Sequence, residues 1–240
     1  MALRLAAVVA LSLSAALIVD ANAEDTVKIG LILPYSGPFA DAANQLDAGV
    51  KLYMEKHGDT VAGKKIEIIR KDTGGPNADV ARRLAQELVV RDGADILAGF
   101  ALTPEAVGVA DIANEAKKFT VLMNAATSNI IDLSPYMVRT SVTIPQVNYA
   151  LGKWAVEEAG VKQAYTLVSD YGPGHDAESS FSKGFTEAGG TILGSDRTPV
   201  ANPDFSAYVQ RVKDSNPEAV YIFVPGGAQP AAIGKALVDR

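Results

Sequence analysis

The chain has 240 residues, no cysteine, 22 Lys plus Arg against 28 Asp plus Glu, and a formal charge of −6. Without cysteine there can be no disulfide and no lipid-modified cysteine anchor. A mildly acidic chain with no basic run argues against nucleic acid as a partner. The length is sufficient for a core that stabilises the fold by burial alone.

The amino terminus predicts an export signal over residues 1–23. Arg4 supplies the positive start, Leu5 to Val19 is apolar apart from two serines, and Ala21-Asn22-Ala23 has the small-x-small pattern of a cleavage site. This apolar run is short for a membrane span of about 20 residues. Cleavage near Ala23 and a bacterial periplasmic location are therefore expected.

Past the leader, short β-branched runs alternate with longer amphipathic ones. Residues 27–33 read as a buried parallel strand, stopped by Pro34-Tyr35-Ser36-Gly37-Pro38. A helix is predicted over 41–56 with Leu46, Val50 and Tyr53 on one face, closed by His57-Gly58. Strand 65–71, helix 77–91, strand 95–99, helix 103–117 and strand 119–123 follow. Asp72 and Asp79 flank a Gly-Pro turn and are expected to start the helix at 77. After 137–141 a second set begins, with helix 145–158, strand 164–169, helix 178–188, strand 191–194, helix 205–215 and strand 219–224. Trp154 and Tyr149 are expected in the core of that set. The succession predicts an α/β fold in which parallel sheets are flanked by helices. It divides into a first lobe over 24–140, a second over 141–240, and a hinge and cleft between them. The second lobe is expected to be incomplete, because the chain stops within a plausible helix with no strand after it.

Ligands in such sheets bind beyond the carboxyl ends of the strands. Tyr35-Ser36-Gly37, Phe100 to Thr103 and Asn124 to Ser128 all fall at such ends. The latter two are strand-to-helix junctions ending in hydroxyl residues, and they are expected to offer unpaired N–H groups and a side-chain O–H to a small anion such as a carboxylate. Thr103 also reads as a helix cap, with Pro104 and Glu105 behind it. Thr127 and Ser128 also read as turn residues. In Asp170-Tyr171-Gly172-Pro173-Gly174-His175-Asp176, the single histidine lacks the partners a zinc site needs, and a Gly/Pro/Asp turn is the simpler reading. No Gly-x-Ser-x-Gly elbow is present, and Gly226-Gly227 with Gly234 misses the dinucleotide spacing. No metal, cofactor or catalytic residue is predicted.

These residues resemble the type I periplasmic solute-binding proteins of the leucine/isoleucine/valine-binding group, which feed ABC importers. The resemblance runs through the segment from Ile29 to Pro38, the run from Ala81 to Val89, Gly99 with Thr103, Asn124-Ala125-Ala126-Thr127, Val138-Arg139-Thr140, Asp170-Tyr171-Gly172 and Asp204-Phe205-Ser206. It implies that Thr103 and Thr127, with the backbone of Ala126, grip a ligand carboxylate. Tyr171 would close over the ligand, and the first loop from Tyr35 would line the side-chain pocket. It further implies a small-molecule solute, a membrane ABC permease as partner, and a monomer. Phe100-Ala101-Leu102 with Pro104, and Ala42 in the first loop, depart from close amino-acid binders. An aromatic acid or an amide therefore stands beside a branched-chain or other hydrophobic amino acid. A ligand-sensing receptor domain and an exported enzyme are the other classes.

Overall fold

The computed structural model describes residues 26–200 and 203–238. The predicted signal peptide lies outside the described residues. Two separate sheets organise the chain into two α/β lobes.

The first sheet has the order β2-β3-β1-β4-β5-β6, from β1 (Thr26–Leu33), β2 (Thr60–Val61), β3 (Lys64–Asp72), β4 (Ile96–Gly99), β5 (Phe119–Leu122) and β6 (Met137–Arg139). All pairs are parallel except the short β2–β3 hairpin. Strand periodicity sorts the side chains by face. Leu31 and Leu33 pack with Ala43 of α1 (Ala40–His57), whereas Ile32 and Leu97 pack with Leu84, Leu88 and Val109 of α2 (Ala78–Val90) and α3 (Thr103–Ala116). Burying each such aliphatic chain contributes roughly 1.5–3 kcal/mol. The helix spacing expected of α1 is only partly used, because Tyr53 at its far end is exposed. Asp72 does not start α2. Asn77 caps that helix by accepting the Val80 N–H, and Asp72 instead accepts from Ser36 and Gly74, tying the first loop to the β3 end.

The second sheet has the order β8-β7-β9, all parallel, from β7 (Gln163–Ser169), β8 (Thr191–Thr198) and β9 (Ala219–Phe223). One face packs on α4 (Ile144–Glu157) and α5 (Gly172–Glu187), the other on α6 (Ser206–Ser215) and α7 (Gln229–Val238). Strand β8 runs four residues beyond the predicted 191–194. Its inward positions include Asp196, which takes the Tyr165 hydroxyl at 2.7 Å and the Arg211 guanidinium, so a polar residue masks the alternation. Helix α5 begins at Gly172, within the segment predicted as a turn. Pro173 sits in the first turn, where a missing N–H costs nothing. Gly174 lets the helix close on β7, since a Cβ there would stand 1.8 Å from the Ser169 carbonyl oxygen.

Trp154 is not core: it is 54% exposed, and α4 buries Asn148, Gly152 and Val156 instead. The reason is the close crossing of α4 and α5. A Cβ on Gly152 would lie 2.3 Å from the Phe181 carbonyl oxygen, and one on Gly184 would lie 2.2 Å from that of Tyr149. Such contact selects the small face of the helix and leaves the indole outside. Tyr149 is half-buried at the edge, its hydroxyl donating to Glu187 at 2.6 Å.

Candidate ligand-binding site

Strand β4 ends in a kink made by two left-handed residues, Gly99 at φ 114° and Phe100 at φ 61°. Gly99 is required, because a Cβ would meet the Ile32 carbonyl oxygen at 2.1 Å. Phe100 accepts this costly conformation, of order 1 kcal/mol. Its ring is fully buried, its N–H donates to Ile32 and its carbonyl accepts from Ala125. Phe100 is thus the anchor under the loop, and Ala101, Leu102 and Thr103 are carried over the sheet edge. The Asn124 amide donates to the Ala101 carbonyl at 2.8 Å and ties the β4 and β5 ends together.

Thr103 does not cap its helix. Leu102 occupies the cap position and the Glu105 carboxylate accepts its N–H at 3.0 Å, while Thr73 donates to the same carboxylate at 2.5 Å. The Thr103 hydroxyl is thereby released to meet that of Thr127 at 2.8 Å. In such a pair one hydroxyl donates to the other, and the accepting one keeps an O–H for a third group. Burial pushes the Glu105 carboxyl up to about 7 against the opposing effect of its hydrogen bonds.

The turn after β5 is braced by the Ala125 N–H to Phe100, by the Ala126 carbonyl accepting from Ile144, and by the Arg139 guanidinium on the Thr127 and Ser128 carbonyls. None of these bonds uses the N–H of Ala126 or Thr127. A cavity of about 170 Å³ opens here, lined by Leu102, Thr103, Ala126, Ile144 and Tyr171, with Phe223 to Gly226 at the second-lobe wall. Leu102, Ile144 and Tyr171 mark the amino-terminal ends of α3, α4 and α5. Three helix amino termini, each equivalent to roughly half a positive charge, therefore converge on one cavity. Tyr171 keeps its phenolic proton, since burial pushes its pKa well above the ordinary range. A contiguous apolar chamber of about 400 Å³ shares Gly226 and lies between Pro38, Phe39 and Pro76 of the first lobe and Val200, Phe205 and Ala232 of the second.

Of the residues named from sequence, Thr103, Ala126 and Tyr171 line the cavity, and Thr127 backs it through the hydroxyl pair. Tyr35 does not join them. Its ring packs with Leu31, Leu33 and Ala43, and burial together with the nearby Asp47 carboxylate pushes its phenol up to about 12. The loop residues that reach the cleft are Pro38 and Phe39. Sequence reasoning missed Ile144, Arg139 and the apolar wall from Phe223 to Gly226. The visible signals were the start of α4 and the glycine pair, Gly226-Gly227, that follows β9. Among the described residues no group of three or more His, Cys, Asp or Glu side chains is placed to hold a metal ion.

Residues 26–237 match the family model described as periplasmic binding protein. A Leu/Ile/Val-binding protein homolog 6 of Brucella melitensis is 44% identical over 218 residues, covering 90% of this chain and 55% of the relative. A solute-binding protein of an ABC transporter from Rhodopseudomonas palustris BisB5, solved in complex with 3,4-dihydroxybenzoic acid, is 46% identical with a TM-score of 0.84. The match covers 90% of this chain and 59% of that one. Another, from R. palustris in complex with 4-hydroxybenzoate, is 40% identical with a TM-score of 0.87, over 90% of this chain and 58% of that one. The chain thus spans little more than half the length of the relatives it matches. With two α/β lobes facing each other across a cavity, it belongs to the type I periplasmic binding protein family, in the Leu/Ile/Val-binding group.

Proposed function

We propose that this protein is the solute-binding component of a periplasmic ABC importer and that it captures a small aromatic carboxylate between its lobes. The observation that carries this reading is the convergence of the α3, α4 and α5 amino termini with the Thr103–Thr127 hydroxyl pair on one cavity. Helix amino termini favour an anion, and the apolar chamber beyond Gly226 favours a ring attached to it. The carboxylate would take the outward O–H of the pair and the N–H groups of Ala126 and Thr127. Tyr171 would cover it from the second lobe, and the segment from Thr140 to Thr143 between the lobes would serve as the hinge. Such a site holds its ligand without converting it. The permease is the expected partner, and one copy of the chain is sufficient for this role. Relatives of similar identity were solved with dihydroxybenzoic and hydroxybenzoic acids, which supports the aromatic reading. The Leu/Ile/Val names of the Brucella relatives support a branched-chain amino acid as the second reading.

Calorimetric titration with 4-hydroxybenzoate and, separately, leucine tests the assignment. Binding of 4-hydroxybenzoate is expected, and Thr127→Val should weaken it roughly tenfold or more, the scale of a hydrogen bond to a charged group. A Thr127→Val protein that binds as tightly as wild type would remove the carboxylate site from Thr127.

A further inference from the structure

Besides the Ile144 N–H on the Ala126 carbonyl, two close approaches join the lobes, a first through α5 and a second through the turn after β9. At the first, the Asp176 carboxylate of α5 accepts the Ser128 N–H at 2.6 Å. Asp176 lies one turn beyond Gly172, whose Cβ position is 3.4 Å from the Thr127 hydroxyl oxygen. The Ser128 N–H is held in place because Arg139 grips the carbonyls of both Thr127 and Ser128. A short bond to an ionised acceptor is among the stronger hydrogen bonds available to a protein. At the second, Gly227 follows β9 and faces the Pro38 carbonyl of the first loop. A Cβ there would stand 2.5 Å from the Pro38 oxygen, and φ is 93°, so both space and backbone conformation demand glycine.

We propose that the Asp176 carboxylate on the Ser128 N–H is a latch that holds the lobes closed independently of ligand contacts and so sets part of the affinity, and that Gly227 permits the close approach to Pro38 that closure requires. Neither Asp176 nor Gly227 lines the 170 Å³ cavity, which separates this role from ligand recognition. A protein whose closed state is partly populated beforehand requires less differential affinity from its ligand to close fully. Removing the carboxylate should lower the closed-to-open ratio about tenfold, the scale of one hydrogen bond to a charged group. A side chain at position 227 should act as a wedge. The effect on affinity rests on the solute reading above, but the effect on closure does not.

The chain has no cysteine, so spin labels report only from introduced sites. Asp79 and Ala231 are exposed and stand near Pro76 and Ala232 on opposite lips of the apolar chamber. Pulsed electron paramagnetic resonance distances between labels at Asp79→Cys and Ala231→Cys are expected to show a short, closed population without ligand. Asp176→Ala and Gly227→Val should each deplete it, with thermal unfolding as the folding control. The two changes act on separate contacts, so a folding defect in one leaves the other informative. The latch is overturned if the short population is absent without ligand, or if it survives Asp176→Ala unchanged. If 4-hydroxybenzoate leaves the distances unmoved while both substitutions lengthen them, the latch stands and the solute assignment fails.

Discussion

Glu105 makes the stability of this fold depend on pH in an unusual direction. Its carboxyl is fully buried beside the α3 amino terminus, and burial raises it from 4.5 to about 7 despite hydrogen bonds from Thr73 and Leu102. Asp72 adds a smaller push in the same direction. The folded protein therefore binds this proton more tightly than the unfolded chain does. The resulting stabilisation is complete below pH 4.5 and is lost as pH rises to about 7. At about 1.4 kcal/mol per pH unit, the contribution is about 3 kcal/mol. Glu105→Gln keeps the shape, with the amide oxygen facing the Leu102 N–H and the amide nitrogen facing Thr73, and it removes the titration. Urea unfolding of both proteins at pH 4.5, 6, 7 and 8 should show Glu105→Gln gaining relative to wild type by about 3 kcal/mol across the series. In a domain of this size that corresponds to roughly 10 °C in Tm. A stability difference that stays flat from pH 4.5 to 8 would show that Glu105 is ionised normally and that the account of its burial is wrong.

Other perturbations test separate parts of the structure. Gly152→Ala should destabilise by about 3 kcal/mol in urea unfolding, since its Cβ would meet the backbone of α5 at 2.3 Å and 2.7 Å. Trp154→Ala should change stability by less than about 0.5 kcal/mol, because the indole is mostly in solvent; a loss of several kcal/mol would return it to the core.

The alternation of elements was legible because the buried strands 27–33 and 95–99 read as continuous apolar runs, whereas 77–91 repeats its apolar residues every three or four positions. The hydroxyl junctions at Thr103 and Thr127 were legible for a related reason: a hydroxyl residue at the end of such a run marks the carboxyl edge of the sheet, where the two side chains meet. Trp154 misled because helical spacing says which residues share a face but not whether that face is packed. The backbone contact of Gly152 on Phe181 decided that question, and it joins elements distant in sequence. Tyr35 misled similarly, since its loop reaches the cleft through Pro38 and Phe39 while its own ring turns into the first-lobe core.

By itself, the sequence determined the order of strands and helices and the two hydroxyl-bearing strand ends, because these depend on local periodicity and residue type. Only the tertiary structure decided that Thr103 meets Thr127, that three helix amino termini face one cavity, and that Asp176 fastens the second lobe to Ser128. Each of these joins residues between 24 and about 70 positions apart, and such distant pairs leave no periodic signal along the chain. The first needs the folded first lobe, and the others exist only once burial has folded both lobes and brought them together.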